Sequence, residues 1–188
     1  MTKLEIWNAA LALIPHDIRI ADVDEDSTEA QRCREQWDGA RRSVLSAREW
    51  HFLVRDSHEC PGGWGATGGG FSRPDDALRV CGLVSPDGRR IPARSRNGLF
   101  YPAAPHCFAV ALQYIPDSGA PEDWPDFVAD AVVAELAARV APVLAGNPQR
   151  SAELKQTAMA RLEAAALANA EETAHDGGDP YFFVHARE

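Results

Sequence analysis

The run Gly63-Trp64-Gly65-Ala66-Thr67-Gly68 has the spacing of a dinucleotide-binding loop, in which backbone amides at a strand-to-helix turn cradle a pyrophosphate. That chemistry needs a strand before the run and a helix N-terminus after it. Here Pro61 precedes it and Ser72-Arg73-Pro74 follows, so neither is available, and no Gly-Lys-Ser/Thr triplet marks a P-loop. Asp22, Asp24 and Asp26 begin like a calcium loop. Ser27 stands where that loop needs its glycine, and Cys33 where it needs its bidentate glutamate. The three aspartates read instead as a solvated acidic turn in front of a helix. His58-Glu59-Cys60 and His106-Cys107 offer metal-ligand types without the C-x-x-C or H-x-x-x-H spacing of a zinc site. His51, between Trp50 and Phe52, reads as a packed or surface histidine and not as a base. There is no Gly-x-Ser-x-Gly elbow, and no pair of carboxylates stands apart from the general acidity. The sequence predicts no catalytic residue, no cofactor and no metal.

Two other stretches suit contact with a partner. Cys60 to Gly70 holds six glycines, too many for a helix or a central strand, and predicts an exposed, mobile loop. Gly63, Trp64, Gly65 and Phe71 are read as a finger that orders on a partner, with Trp64 and Phe71 as its anchors. Near the end, Gly177-Gly178-Asp179-Pro180 breaks the chain before Tyr181, Phe182, Phe183 and Val184, with Arg187 beyond. Four consecutive bulky residues are a liability if left in water. They either fold back as an edge strand of their own domain or pair with another subunit or protein.

The elements that would carry these segments are mainly helical. Thr2 with Glu5 three residues on is a capping box, followed by Leu4, Trp7 and Leu11 on one face. That helix should end near Pro15. A second helix runs from about Ser27 to Ala47 with Ala30, Cys33, Trp37, Ala40 and Val44 facing inward, and Arg41 and Arg42 complement the dipole at its far end. A β region follows: Leu78 to Val84, a turn at Ser85-Pro86-Asp87-Gly88, then Arg89 to Arg94. Arg96-Asn97-Gly98-Leu99 is a tight turn, and Phe108 to Ile115 a further strand with Val110, Leu112 and Tyr114 on one face. Trp124-Pro125-Asp126-Phe127 opens a third helix whose apolar stripe is too broad for one amphipathic face, so it should be buried on most sides. Pro142 should loosen its last turn. Gly146 caps it, Asn147-Pro148 starts a fourth helix, and Leu154, Ala158, Leu162 and Ala165 face back onto the third as an antiparallel hairpin. The fold class is α+β, mainly helical: a bundle of about four helices with a short antiparallel β-meander inserted. The boundaries are one domain over 1–176, the β insertion at about 72–116, and an extended arm over 177–188.

A chain of 188 residues with 45% apolar and 25% charged residues fits one soluble domain with a real core, and has room for a second small domain without requiring it. Net charge −9, with no long basic stripe, argues against tight binding to nucleic-acid phosphates and suits a surface that DNA slides past. No apolar run approaches a membrane span, and the first residues have no signal-peptide core, so a cytosolic origin without membrane contact is expected. Cys33, Cys60, Cys81 and Cys107 are scattered and read as reduced thiols.

The order of elements resembles the head-to-tail adaptor (connector) proteins of tailed bacteriophages, including tail tubular A-type proteins and gene-transfer-agent adaptors. The similar stretches are Ser27-Thr28-Glu29-Ala30 opening a helix that ends in Ala47-Arg48-Glu49-Trp50-His51-Phe52, and Arg73-Pro74-Asp75-Asp76-Ala77-Leu78-Arg79-Val80 leading into the β region. They continue with Trp124-Pro125-Asp126-Phe127, Leu144-Ala145-Gly146-Asn147 and the closing Ala186-Arg187. Ser72-Arg73-Pro74 departs from the pattern, where an aromatic before the proline is more usual. The resemblance implies a ring, commonly twelve-membered, that docks on the portal protein, receives tail proteins and passes DNA without binding it specifically. It places the chain at the head-to-tail junction of the virion, after assembly in the host cytoplasm. It also implies that residues 62–71 and 179–187 act as the contact loop and arm. Two other classes remain open from the residues alone. One is a cytosolic interaction module using the same tail on another partner, and the other is a ligand-binding protein or enzyme built on the glycine loop.

Overall fold

The computed structural model describes residues 1–14, 19–58, 70–103 and 109–176. These residues form four α-helices and two antiparallel sheets, an α+β fold. The chain divides into two compact units, one of residues 1–44 with 120–188 and one of residues 45–119.

The first unit is helical. Its first helix, α1 (Lys3–Ala12), starts on the expected capping box: the Thr2 amide donates to Glu5 Oε2 at 2.7 Å, and the Glu5 amide to Thr2 Oγ1 at 3.2 Å. Ile6, Trp7, Ala10 and Leu11 form its buried face. Asn8 bonds both backbone groups of Ile20, at 2.8 and 2.9 Å, and so fixes the stretch that leads into α2. Ser27 caps α2 (Thr28–Ala47), its Oγ accepting from the Ala30 amide, while Asp22 Oδ1 accepts from the Asp24 amide within the acidic turn ahead of it. Ala30, Cys33, Trp37, Ala40 and Val44 are all buried, as their spacing predicted.

The third helix, α3 (Asp126–Leu144), follows a short 3-10 turn at Pro121–Asp123, with Pro125 at its N-cap. Eleven of its nineteen residues are buried, on nearly every side. Pro142 does not end it, since the Ala145 amide still donates to Ala141 at 2.8 Å. Gly146 at φ +59° turns the chain, and Asn147 Oδ1 accepts from the amides of Gln149 and Arg150 to start α4 (Pro148–Asp176). Leu154, Ala158 and Ala165 are buried along the side where α4 packs on α3. Arg150 reaches the Leu13 carbonyl at 2.7 Å and satisfies an open acceptor at the end of α1. Among the described residues no helix is long and apolar enough to cross a membrane.

The second unit starts in the last turn of α2. Arg41 and Arg42 lie outside that turn, which contains no basic residue, so the expected dipole complement is misplaced. Arg79 supplies it instead, donating to the carbonyls of Ser46 and Ala47 at 3.4 and 3.1 Å from strand β3 (Ala77–Val84). The larger sheet has the order β1-β7-β3-β4, with β1 Arg55–Ser57, β4 Arg90–Ile91 and β7 Ala111–Pro116. It is not a simple meander, because the last strand lies between the first and third. β7 is buried on both faces, with Leu112 and Ile115 at 0% exposure, where alternation predicted one. The smaller sheet has the order β2-β6-β5, with β2 Phe71–Ser72, β5 Ala93–Arg96 and β6 Leu99–Pro102. Its β5–β6 hairpin turns on Asn97 and Gly98, both at positive φ (51° and 77°), the backbone pair that a two-residue hairpin favours.

Candidate interaction surface

The residues singled out for chemistry do not converge. His58 holds the Val110 carbonyl with Nδ1 at 3.0 Å, and His51 packs edge-on to Phe52 at 5.9 Å. No group of three potential metal ligands occurs among the described residues. A cleft of about 660 Å³ is lined by Asp56, His58, Arg73, Asp75, Asp76 and Tyr114. Arg73 within it is occupied by the carbonyls of Ala77 and Leu78 at 2.6 and 3.2 Å. A second hollow of about 350 Å³ lies among α2, α3 and α4, where Arg139 is paired with Glu135 at 2.8 Å. The Cys33 thiol is pushed up to about 12 by burial, and burial also raises that of Cys81, so neither is primed to react.

Of the residues expected to bind a partner, Gly63, Trp64 and Gly65 lie outside the described residues, as do Tyr181, Phe182, Phe183, Val184 and Arg187. Cys60, His106 and Cys107 are also outside them. Phe71 is described, and its expected role as an exposed anchor is corrected. It pairs with Phe100 in β2–β6, is 2% exposed, and packs with Leu83 and Leu112 in the core of its unit. A phenyl ring there gains more from the apolar interior than an exposed contact could offer.

A different surface emerges on α4. Its inner side is buried at Ser151, Leu154, Ala158, Ala165 and Asn169. The opposite side carries Ala152, Met159, Ala160, Ala164, Leu167 and Ala170, all exposed. Met159 and Leu167 are 70% and 68% exposed, and eight residues apart they lie on the same side, a little over two turns along. Val143, at the end of α3, is 57% exposed. Glu163, also exposed, stands between them, one turn from each, with Ala160 and Ala164 alongside. The sequence shows these residues, but the inward stripe of Leu154, Ala158 and Ala165 suffices to explain the helix, and only burial tells which apolar residues stay in water.

No protein-family model matches the chain, and no curated protein does. The surface has to be read from its own chemistry. A 29-residue helix that exposes two large apolar side chains away from its buried side exceeds what one intramolecular contact needs.

Proposed function

We propose that this chain is a structural, non-enzymatic adaptor at the head-to-tail junction of a tailed bacteriophage or prophage. In this reading it docks on the portal ring, extends the DNA channel and receives the tail. Its helices act as a bundle of about four with the β segment as an insertion. Copies associate into a ring, commonly twelve-membered in the family it resembles, first in the host cytoplasm and then in the virion.

The outward apolar face of α4 carries the proposal. A ring needs heterologous contacts, so every subunit must offer a neighbour a face distinct from the one packed in its own core. Met159 and Leu167 give α4 such a face, and covering each would contribute roughly 1.5–3 kcal/mol. The sequence order of helices and strands, which matches the resembling stretches from Ser27 to Asn147, supports the same reading. Residues 62–70 and 179–187 serve in it as the contacts to portal and tail, while Phe71 serves the core.

The test is the mass of the complex formed on mixing with a portal protein from the same genome, read by light scattering. A portal-bound ring of this chain is expected. If the chain ignores the portal but still captures another partner through Met159 and Leu167, it is an interaction module unrelated to virions.

A further inference from the structure

The net charge of −9 is divided very unevenly. Residues 45–119 carry eight basic and seven acidic side chains, whereas the helical unit carries eleven basic and twenty-one acidic. Within the β unit four arginines fall in eight positions, Arg89, Arg90, Arg94 and Arg96, with no acid among them. Arg90 is occupied, bonding Glu49 and donating from Nε and Nη2 to Gln113 Oε1.

The small sheet sets Arg94 and Arg96 on one face. Its inner side, with Phe71, Phe100 and Ala93, joins the core. Register places Arg94 opposite Tyr101 and Arg96 opposite Leu99, so these four share the outer side. A Cβ at Gly70 would lie 2.6 Å from Tyr101 Cζ and 2.7 Å from Leu99 Cβ, so the tyrosine ring rests directly on the glycine backbone. Arg94 is pinned through the carbonyls of Pro102 and Ala103, which orients a guanidinium while leaving donors over. Arg96 is exposed and has no hydrogen-bond or ion-pair partner among the described residues.

We propose that this outer sheet face, with Arg94, Arg96 and Tyr101, is a contact site for the phosphodiester backbone of nucleic acid. Arginine forks and a tyrosine hydroxyl are donor types that hold phosphates and position a strand without reading its sequence. With about three phosphates engaged per copy, the contact is weak and salt-sensitive, and the acidic helical unit keeps the remaining surface from adhering. The site is independent of the outward face of α4, so its loss would leave the adaptor reading standing.

The test is fluorescence anisotropy of the full chain with a labelled thymidine oligonucleotide and with a duplex of equal length. Saturable binding should weaken with salt, with a logarithmic slope of about −2 for the single strand and nearer −3 for the duplex. The preferred probe tells which form the site takes. Arg96→Glu, at an exposed position with no partner among the described residues, should weaken binding roughly tenfold at low salt, and Arg94→Glu with Arg96→Glu further. Lys155→Glu in the helical unit should change it little. Absence of salt-dependent binding, equal binding by Arg96→Glu, or capture of polyglutamate in place of oligonucleotide would overturn the proposal.

Discussion

Trp37 and Trp124 stack with centroids 6.2 Å apart and ring planes 18° from parallel, joining the middle of α2 to the segment that leads into α3. Trp7 of α1 meets Trp37 edge-on at 6.4 Å, and the Lys3 ammonium sits 5.0 Å from the Trp7 ring. One side chain thus serves three segments. Trp37→Ala should cost about 3–5 kcal/mol, seen as a lower urea midpoint, because it opens a cavity and removes two aromatic contacts.

Two glycines should respond to alanine with opposite sign. At Gly39 the new Cβ would meet only the Arg139 guanidinium, 2.8 Å from Nη1, the far end of a flexible side chain. Gly39→Ala should therefore stabilise by roughly 0.5 kcal/mol, part of the usual helix-interior gain. At Gly70 the obstacles are the Tyr101 ring and the Leu99 Cβ, which cannot swing clear. Gly70→Ala should destabilise by about 1–3 kcal/mol. Thermal melts of the two variants side by side would expose a common sign.

Acid should unfold the protein in part through its capping carboxylates. Glu5 is held below the ordinary glutamate range by the Thr2 amide, Glu25 by the Ala21 amide, and Asp87 by the Ser85 hydroxyl. Each has a folded pKa depressed relative to the unfolded chain, so its contribution is present above the unfolded value and is lost as pH falls through the folded one. The urea midpoint should stay level near neutrality and drop below about pH 4. Glu5→Gln should make that drop shallower; an unchanged acid limb would remove Glu5 from the account.

Buried within α2 at 0% exposure, the Cys33 thiol has its pKa pushed up to about 12. A maleimide at pH 8 should leave it unmodified in the native protein and modify it in urea, as read by peptide mass spectrometry. Rapid native labelling would show that α2 opens locally.

Met159→Asp with Leu167→Asp should lower stability by only about 1 kcal/mol, the helix-propensity cost of two aspartates, because both side chains are already largely in water. Ring formation on the portal should nonetheless fail. Separate measurement of the melt and of the complex mass distinguishes lost contact from lost fold.

Features set by neighbouring residues were legible in the sequence. The capping box at Thr2 and Glu5, the left-handed Gly146, the Asn97-Gly98 turn and the inward stripe of α2 all follow from side-chain size, φ preference or helical period within a few positions. The strand limits were less so: β structure begins at Arg55, ahead of the expected start near residue 72, because β1 is three largely exposed residues with no alternation to reveal it.

Three things were decided only by tertiary structure. β7 lies between β1 and β3, Arg79 and not Arg41 or Arg42 serves the end of α2, and Phe71 belongs to the core. Each depends on partners about thirty or more positions away, and no local rule specifies which distant segment will satisfy a carbonyl or cover a ring. The division of charge is of the same kind, since a sum over 188 residues averages an acidic helical unit with a β unit that presents arginines on one sheet face. Local chemistry could name the helices and turns. Only long-range packing could choose which of their faces would remain in water.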